Sequence, residues 1–314
     1  MKIKLILCIM FFSQMFGEIS GISGAFTDIG YSAKSISMGL VQSALNQGAL
    51  GSIMNPASLG FQDEQHSVTI SNFKLRNIDN YTVLAYSTKI TEKIPMGIFL
   101  ISSGDDLWRE TQIGFSSGYK LVEDLNIGIT CKIYNVSAGN NEDGQLEGIQ
   151  GELQVSGTGI GFGLDSGIQF QLDENQQFAF VIKDILSSVK YSSKGGGGLA
   201  EGDYSEGIPA KYTLGYRISN NSLIALVDIV DGFKGDSPAE IRVGSEWTVY
   251  KNILCVRSGI RTELMTGENT MYGIGTGLKF NPKRFGLGFN VGYFFRPDWV
   301  DMNELRFELE FELK

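Results

Sequence analysis

Hydrophobicity alternates with a period of two residues along almost the whole chain after about residue 65. The final segment shows the pattern most clearly: leucine and phenylalanine alternate with charged residues from Glu304 to Leu313, so that the apolar side chains share one face. Alternation of this kind is typical of a β-strand with one apolar side, and no sustained helical periodicity competes with it. The sequence therefore predicts an all-β protein.

Fourteen segments carry this alternation and are predicted to be strands. They cover residues 66–75, 80–91, 94–103, 109–121, 125–137, 154–171, 175–185, 209–219, 222–231, 239–250, 253–263, 269–281, 283–296 and 303–313. Most are ten to thirteen residues long, whereas strands in soluble proteins average about five or six residues. A tilted strand that crosses a membrane needs roughly 9–11 residues, so these lengths favour membrane-spanning strands.

The connections between the predicted strands alternate between short and long. Residues 122–124 and 220–221 form short connections, whereas residues 137–153 and 186–208 form long ones. Outer-membrane barrels have short turns at one end and longer loops at the other. If both ends of the chain lie on the short-turn side, the number of strands must be even. The sequence thus predicts a 14-stranded antiparallel transmembrane β-barrel over residues 66–314.

Glycine replaces charged residues on the polar face of several strands. Gly273, Gly275 and Gly277 share one face, and so do the glycines from Gly157 to Gly163. Glycine weakens a strand and usually marks the close approach of another backbone, so we expect a segment packed inside the barrel. The strict spacing of two also distinguishes the second set from a phosphate-binding turn, which joins a strand to a helix.

The composition argues against several classes of function. The 314 residues include 26 Lys+Arg and 35 Asp+Glu, and the net charge of −9 disfavours a nucleic-acid partner. One histidine, His66, and three cysteines are too few for a zinc, haem or iron–sulfur protein, so no metal and no cofactor are expected. No carboxylate pair or nucleophile elbow stands out, and we do not expect an enzyme. Cys131 and Cys255 are expected to stay thiols, with a disulfide between them as the alternative.

Residues 1–23 have the layout of an export signal. A short positive start precedes an apolar run over residues 5–16, and small and polar residues follow. The run is too short for a membrane helix, which needs roughly 20 residues; a buried N-terminal strand is the alternative. Cleavage after Gly17, Ser20 or Ser23 is compatible with the sequence. An exported barrel predicts the outer membrane of a Gram-negative-type bacterium, with outer-membrane lipid around it.

Residues 24–65 differ from the strands that follow them. Residues 31–45 are rich in serine, alanine and glycine, with enough scattered apolar residues for a short helix. Asn55 is a good N-cap, Pro56 suits the first helical position and Gly60 suits a helix stop, which together predict one helical turn. Such a segment ahead of a glycine-lined barrel is predicted to form a plug in the lumen.

Two motifs in residues 25–60 resemble the opening of the PorV/PorQ-type outer-membrane proteins. The first is Ala25-Phe26-Thr27-Asp28-Ile29-Gly30-Tyr31-Ser32-Ala33-Lys34-Ser35-Ile36-Ser37-Met38-Gly39, where that family has an aromatic residue, Ile-Gly, Ala-Arg and Met-Gly-Gly. The second, Asn55-Pro56-Ala57-Ser58-Leu59, is similar to the family's Asn-Pro-Ala-Gly-Leu and to an element of the related FadL-like long-chain fatty acid transporters.

The resemblance implies a 14-stranded barrel with an N-terminal plug. The plug motif then consists of Gly30, Met38, Gly39, Asn55, Pro56, Ala57 and Leu59. The sequence departs from the family at Lys34, where arginine is usual, at Leu40, where a second glycine is usual, and at residues 46–48, where aspartates are usual. A salt bridge between plug and wall built on those aspartates is therefore in doubt here.

The resemblance also implies two functions. The first is the handling of hydrophobic molecules through a plugged barrel, with a small hydrophobic ligand in the lumen. The alternative is a non-transporting barrel that binds partner proteins of a type IX-like secretion system. A general porin is disfavoured, because an open channel favours charged walls over a filled, glycine-lined lumen.

Charged residues on the inward faces of strands are the candidate lumen site. The leading candidates are Arg217, Arg242, Glu246, Arg257, Arg261 and Lys279, with Lys132, Arg306, Glu308 and Glu310 as further ones. Such residues would contact a polar ligand, latch the plug to the wall, or pair with one another. The last of these is the simplest expectation.

Overall fold

The computed structural model describes residues 26, 29–75, 79–105, 108–139, 155–195, 202–231, 238–250, 253–297 and 303–314. The predicted export signal lies outside the described residues. Within them, one antiparallel sheet curls into a closed barrel around the N-terminal segment. None of the helices in these ranges is both long and apolar enough to span a membrane.

The sheet contains fifteen described strands. They are β1 (His66–Leu75), β2 (Asp79–Thr91), β3 (Ile94–Gly104), β4 (Trp108–Val122), β5 (Leu125–Ala138), β6 (Val155–Asp173), β7 (Gln176–Gly195), β8 (Gly202–Glu206), β9 (Lys211–Ser219), β10 (Leu223–Asp231), β11 (Glu240–Tyr250), β12 (Leu254–Glu263), β13 (Met271–Phe280), β14 (Phe285–Phe295) and β15 (Glu304–Leu313).

The barrel has fourteen strand positions. Each strand from β1 to β7 pairs with the next, β7 pairs with β9, strands β9 to β15 continue the series, and β15 pairs with β1. Strand β8 pairs only with the part of β7 nearest the long loops, so that β8 and β9 share one position. The predicted closed 14-stranded antiparallel barrel is confirmed. We call its two ends the turn end, where connections such as residues 123–124 lie, and the loop end.

The prediction was wrong between residues 186 and 208. That stretch was assigned to a loop, but β7 continues to Gly195 and β8 forms within it. The extension of β7 pairs with the loop-end half of β6 and places Val189 and Tyr191 inside the barrel. Its outward residues are mostly polar, so the segment lacks the apolar outer face by which the other strands were identified.

The outside of the barrel is apolar. On β15 the outward residues Leu305, Phe307 and Leu309 are each about half exposed, while the intervening charged residues face inward. Tyr119 and Trp247, both at the turn end, are also exposed on this surface, whereas Trp108 lies on the inward face of β4 and its indole N–H donates to Glu110. A belt of large apolar side chains around a closed sheet, with aromatic residues near its rims, is the surface that a bilayer requires.

The N-terminal segment fills the lumen. It contains helix α1 (Ala33–Ser37), helix α2 (Gly51–Met54) and two 3-10 helices, Gly48–Leu50 and Pro56–Phe61, and most of its side chains are buried. We call described residues 29–62 the plug. The helix expected over residues 31–45 is only five residues long, because Gly39 and Leu40 adopt a φ of 68° and end it.

The second plug motif forms a helix that starts where its sequence predicts but runs past Gly60, the expected stop, to Phe61. Asn55 caps the 3-10 helix Pro56–Phe61, and its side-chain oxygen accepts the backbone N–H of Ala57 at 3.0 Å. Pro56 occupies the first helical position, where its missing N–H costs nothing.

The glycine faces of the wall are where the plug packs. A Cβ atom on Gly259 would overlap the backbone of Met38, and one on Gly273 would overlap the carbonyl of Ile36. A Cβ atom on Gly128, Gly244 or Gly292 would likewise overlap plug backbone, and one on Gly167 would overlap the side chain of Asn55. Strands without side chains at these points let the plug backbone approach the wall directly. The prediction is wrong for Gly159, Gly161 and Gly163 of β6, which lie against residues of the neighbouring strands β5 and β7 and not against the plug.

Candidate functional site

Buried carboxylates of the wall bind the backbone of the plug. Asp228 on β10 is fully buried and accepts three hydrogen bonds, from the N–H of Gln42 (2.8 Å), the N–H of Ser43 (3.1 Å) and the hydroxyl of Ser43 (2.5 Å). Glu308 on β15 accepts the N–H of Ala33 at 2.9 Å, at the start of helix α1. Charge-assisted hydrogen bonds of this kind are among the strongest in proteins, so the plug is anchored on two sides of the barrel.

Arg306 on β15 makes a third anchor. Its guanidinium donates to the carbonyl of Gly30, pairs with Glu304 at 2.6 Å and lies over the ring of Phe73, 3.9 Å from the ring centre. Gly30 has a φ of 70°, which suits glycine. The arginine therefore fixes the entry of the plug through contacts to a backbone carbonyl, a carboxylate and an aromatic face.

The leading lumen candidates all lie on inward faces of β9 and β11–β13, and most pair with carboxylates. Arg257 pairs with Glu246 at 2.6 Å. Arg242 and Arg261 share Glu240, and Arg242 also donates to the carbonyl of Leu40 in the plug at 3.3 Å. These residues form two groups of ion pairs along β11 and β12, one around Glu240 and one at Glu246.

Lys279 and Arg217 belong to neither of these two groups of ion pairs. Lys279 is 4.0 Å from Glu312. Arg217 donates to the side-chain oxygen of Gln177 at 2.9 Å and borders a cavity of about 250 Å³ at the turn end, between the plug and strands β6, β7 and β9. Asp63 and Glu174 border the same cavity, so its walls carry both signs of charge.

The plug-motif residues line the contacts between plug and wall. Met38 and Gly39 pack against the backbones of Gly259 and Ile260. Gly39 has no room for a side chain there, and its φ of 68° also favours glycine. The first motif is therefore the part of the plug that packs against strand β12.

The second motif contacts both the rest of the plug and strand β5, on the other side of the barrel from β12. The side-chain nitrogen of Asn55 donates to the carbonyl of Ser43 at 2.7 Å. Pro56 and Ala57 pack against Gly128 on β5, and Leu59 is buried against α2.

A second charged cluster lies where strand β7 is distorted. Lys132 lies 2.6 Å from both Asp165 and Asp184, and the Tyr134 hydroxyl donates to Asp184 at 2.5 Å. The N–H of Asp184 donates to Asp165 at 2.8 Å. Asp184 has a φ of 54°, an uncommon value for a residue other than glycine. Three side chains on β5 and β6 thus hold a bulge in β7.

The barrel wall is interrupted beside this bulge. Strand β7 pairs with β9 as far as Lys183 and with β8 from Val189 onward, so that none of the described residues 184–188 forms a ladder pair with residues 207–210. The Ser187 hydroxyl crosses the boundary, donating to the carbonyl of Ile208 and accepting its N–H, both at 2.8 Å. One side chain replaces the backbone ladder at this point.

Apolar side chains line the lumen next to the interruption. Phe26, Tyr134, Val136, Val189 and Tyr191 are buried together, and Ile208 packs against them; we call this set the Tyr134 cluster. The rings of Phe26 and Tyr134 lie 4.4 Å apart. Because Val189 and Ile208 flank the interruption itself, the cluster connects the lumen with that part of the wall.

Sequence reasoning missed several residues of these sites. Asp228 interrupts an apolar run at an inward position between Leu226 and Val230, and that isolated carboxylate was an available signal. Asp165 and Asp184 gave no comparable signal, because the bulge that brings them together depends on pairing between distant strands. No group of His, Cys, Asp and Glu within the described ranges is arranged to hold a metal ion. Cys131 and Cys255 are free thiols.

Several solved structures have the same fold. A monoaromatic hydrocarbon channel, CymD, matches with 15% identity over 92% of this chain and 99% of that one, with a TM-score of 0.62. The toluene transporter TbuX of Ralstonia pickettii matches with 14% identity over 92% and 100% of the two chains, with a TM-score of 0.61. A FadL homologue of Pseudomonas aeruginosa matches with 12% identity over 90% and 97%, with a TM-score of 0.57.

These likenesses establish the fold of a FadL-type barrel with an N-terminal plug. A scan of protein-family models and a search of curated protein sequences both find no match. The resemblance of residues 25–60 to the PorV/PorQ-type proteins remains a prediction.

Proposed function

We propose that this protein is an outer-membrane channel of a Gram-negative-type bacterium that passes small hydrophobic molecules. The observation that carries the proposal is the position of the Tyr134 cluster, an apolar lumen site directly beside the interruption between β7 and β8–β9. An apolar solute gains free energy when such side chains remove its surface from water. The interruption offers that solute a short way from the lumen into the lipid.

The plug supports a route through the wall rather than along the barrel axis. Asp228, Glu308 and Arg306 hold the plug backbone with buried charged groups, and glycine-lined strands pack directly against it. A path straight to the turn end would require those contacts to break. A path through the interruption meets no ladder pair between residues 184–188 and 207–210, and it crosses the two hydrogen bonds between the Ser187 hydroxyl and Ile208.

Toluene is a suitable first probe, since two of the similar structures are titled as a monoaromatic hydrocarbon channel and a toluene transporter. The purified protein would be placed in lipid vesicles, and the entry of toluene and of arabinose would be followed. We expect faster toluene entry than in empty vesicles and no change for arabinose. Arabinose entry without toluene selectivity would indicate a general porin and contradict the proposal.

The sequence resemblance supplies the second candidate, a barrel that binds proteins of a type IX-like secretion system. It rests on the motifs within residues 25–60. Crosslinking in cells followed by purification would separate the two candidates. Exported or translocon proteins bound to the barrel, together with no effect on toluene entry, would favour the secretion role.

A further inference from the structure

The cavity of about 250 Å³ at the turn end has polar walls. Asn46 and Phe61 of the plug form one side of it, and Gln177 of β7 and Arg217 of β9 form part of the other. Apart from Phe61, every residue that lines it is polar or charged, in contrast to the Tyr134 cluster. A hydrophobic solute gains no free energy from such walls, so this cavity is not part of the route proposed above.

Arg217 differs from the other lumen arginines. Of the five candidates, the other four each pair with a glutamate, namely Arg242, Arg257, Arg261 and Arg306. Arg217 forms no ion pair with the residues that the structure describes. It donates to Gln177 at 2.9 Å, and its Nε is buried without a hydrogen-bond partner in the same part of the chain. A buried charged group is costly without a partner, so Arg217 favours an anion in the cavity.

Two amide groups beside Arg217 supply further donors. The side-chain nitrogen of the fully buried Gln169 donates to the side-chain oxygens of Asn46 (2.9 Å) and Gln177 (3.3 Å). These contacts occupy the amide oxygens, whereas the amide nitrogens of Asn46 and Gln177 donate to none of the described residues. Three groups therefore border the cavity with N–H donors to spare, as a carboxylate requires.

Two carboxylates border the same cavity. Asp63 lies just after the 3-10 helix Pro56–Phe61, and Glu174 lies in the turn between β6 and β7. Both are exposed, and neither pairs with a cation within the described ranges. They are suited to bind an ammonium group by charge attraction. Short turns of outer-membrane barrels lie on the periplasmic side, so the cavity is open to solutes of the periplasm.

We propose that this cavity binds an amino acid, with its carboxylate at Arg217 and ammonium groups at Asp63 and Glu174. Pockets for drug-sized ligands hold about 300–1,000 Å³, so the smaller volume here suits a smaller molecule. Lysine, with one carboxylate and two ammonium groups, complements one arginine and two acidic residues. The site is separate from the passage of hydrophobic molecules and does not depend on it.

A bound amino acid would join the plug to the wall. Asn46 belongs to the plug, whereas Arg217 and Gln177 belong to the barrel. A ligand that contacts both binds the plugged state and not the unfolded one, and therefore stabilises it. Lysine should raise the temperature at which the unheated gel mobility of the barrel converts to the heated one.

The experiment measures binding of L-lysine to the detergent-solubilised protein by calorimetry. Cadaverine, which is lysine without its carboxylate, is the second probe and should bind about tenfold more weakly or less. Arg217→Gln should weaken lysine binding about tenfold or more and leave cadaverine binding unchanged. The matched control is Arg284→Gln, which removes an exposed arginine from the turn between β13 and β14 and should change neither.

A second variant avoids the lumen. Glu174→Gln changes an exposed turn residue, which the fold tolerates, and should weaken the binding of both probes severalfold. Glu123→Gln, in the turn between β4 and β5, is its control. Unchanged lysine affinity in Glu174→Gln would overturn the proposal even if Arg217→Gln failed to fold.

Loss of lysine binding in Arg217→Gln, with the heat-dependent gel shift of a closed barrel retained, supports the site. No lysine binding by the wild type, or equal binding by the wild type and Arg217→Gln, overturns it. Cadaverine that binds as tightly as lysine would also overturn it, because the acidic residues alone would then account for the binding. The proposed function fails separately, when wild-type vesicles admit toluene no faster than empty ones.

Discussion

The carboxylate of Asp228 accepts both the backbone N–H and the hydroxyl of Ser43, so that strand β10 holds the plug through a charged group with no exposed surface. The neighbouring N–H of Gln42 binds the same carboxylate. Two of these three hydrogen bonds come from backbone N–H groups, so only the bond from the Ser43 hydroxyl depends on a plug side chain.

Replacing Asp228 with alanine should loosen the plug. Three hydrogen bonds to a charged acceptor are lost, and two backbone N–H groups are left buried without a partner, at a cost on the order of 3 kcal/mol. Arabinose entry into vesicles and protease cleavage within residues 29–62 should both rise. Glu92→Ala, which removes an exposed carboxylate from the turn between β2 and β3, is the control. Unchanged protease resistance in Asp228→Ala would show that the other anchors suffice.

Replacing Gly259 with alanine should displace the first plug motif from strand β12. The new Cβ atom would overlap the backbone of Met38, and overpacking of this kind costs about 1–3 kcal/mol. The temperature at which the unheated gel mobility converts to the heated one should fall. Gly207→Ala is the matched control, since a Cβ there meets its nearest neighbour at an ordinary 3.6 Å. An equal fall in both variants would mean that glycine flexibility, and not the plug contact, sets the stability.

Replacing Lys132 with methionine should be more harmful than replacing Tyr134 with phenylalanine. The first change leaves Asp165 and Asp184 buried without the cation that lies 2.6 Å from each, at a cost of about 3–5 kcal/mol. The second removes one hydrogen bond to a carboxylate, worth about 1.5–3 kcal/mol. Gel conversion temperatures would rank the variants. Adding Asp165→Asn to Lys132→Met should restore part of the loss; a further fall would contradict an electrostatic cause.

The barrel was predictable from the sequence because its strands repeat one signal. Each strand crosses an apolar layer, so apolar and polar residues alternate along it over a similar length. The connections between the strands alternate between short and long. The extension of β7 and strand β8 break that rule, since their outward residues need not be apolar. Gly273 and its neighbours on β13 predicted an occupied lumen for a direct physical reason, because a strand without side chains lets another backbone come close. The same reasoning failed for β6, where Gly159 and Gly163 make room for Tyr191 and Tyr134 of the wall itself.

The contacts between lumen side chains were harder to predict from the sequence than the barrel was. Arg257 and Glu246 pair as expected of charges inside a barrel, and both are visible as inward positions of neighbouring strands. The cluster of Lys132, Asp165 and Asp184 depends on a bulge that shifts β7 against β6, and no local pattern specifies such a shift. The Tyr134 cluster unites residues from four separate stretches of chain, and their meeting follows only from closure of the sheet.

A disulfide across the wall interruption should stop the passage of toluene. The Ser187 hydroxyl contacts both backbone polar atoms of Ile208, which brings the two Cα atoms within disulfide reach. We expect the oxidised Ser187→Cys/Ile208→Cys variant to admit toluene no faster than empty vesicles, and a reducing agent to restore entry. The single variant Ser187→Cys, which also loses the bridging hydroxyl, controls for that loss and for the thiols of Cys131 and Cys255. If the oxidised double variant still passes toluene at the wild-type rate, the route does not run between β7 and β8–β9, and the solute must instead move past the plug.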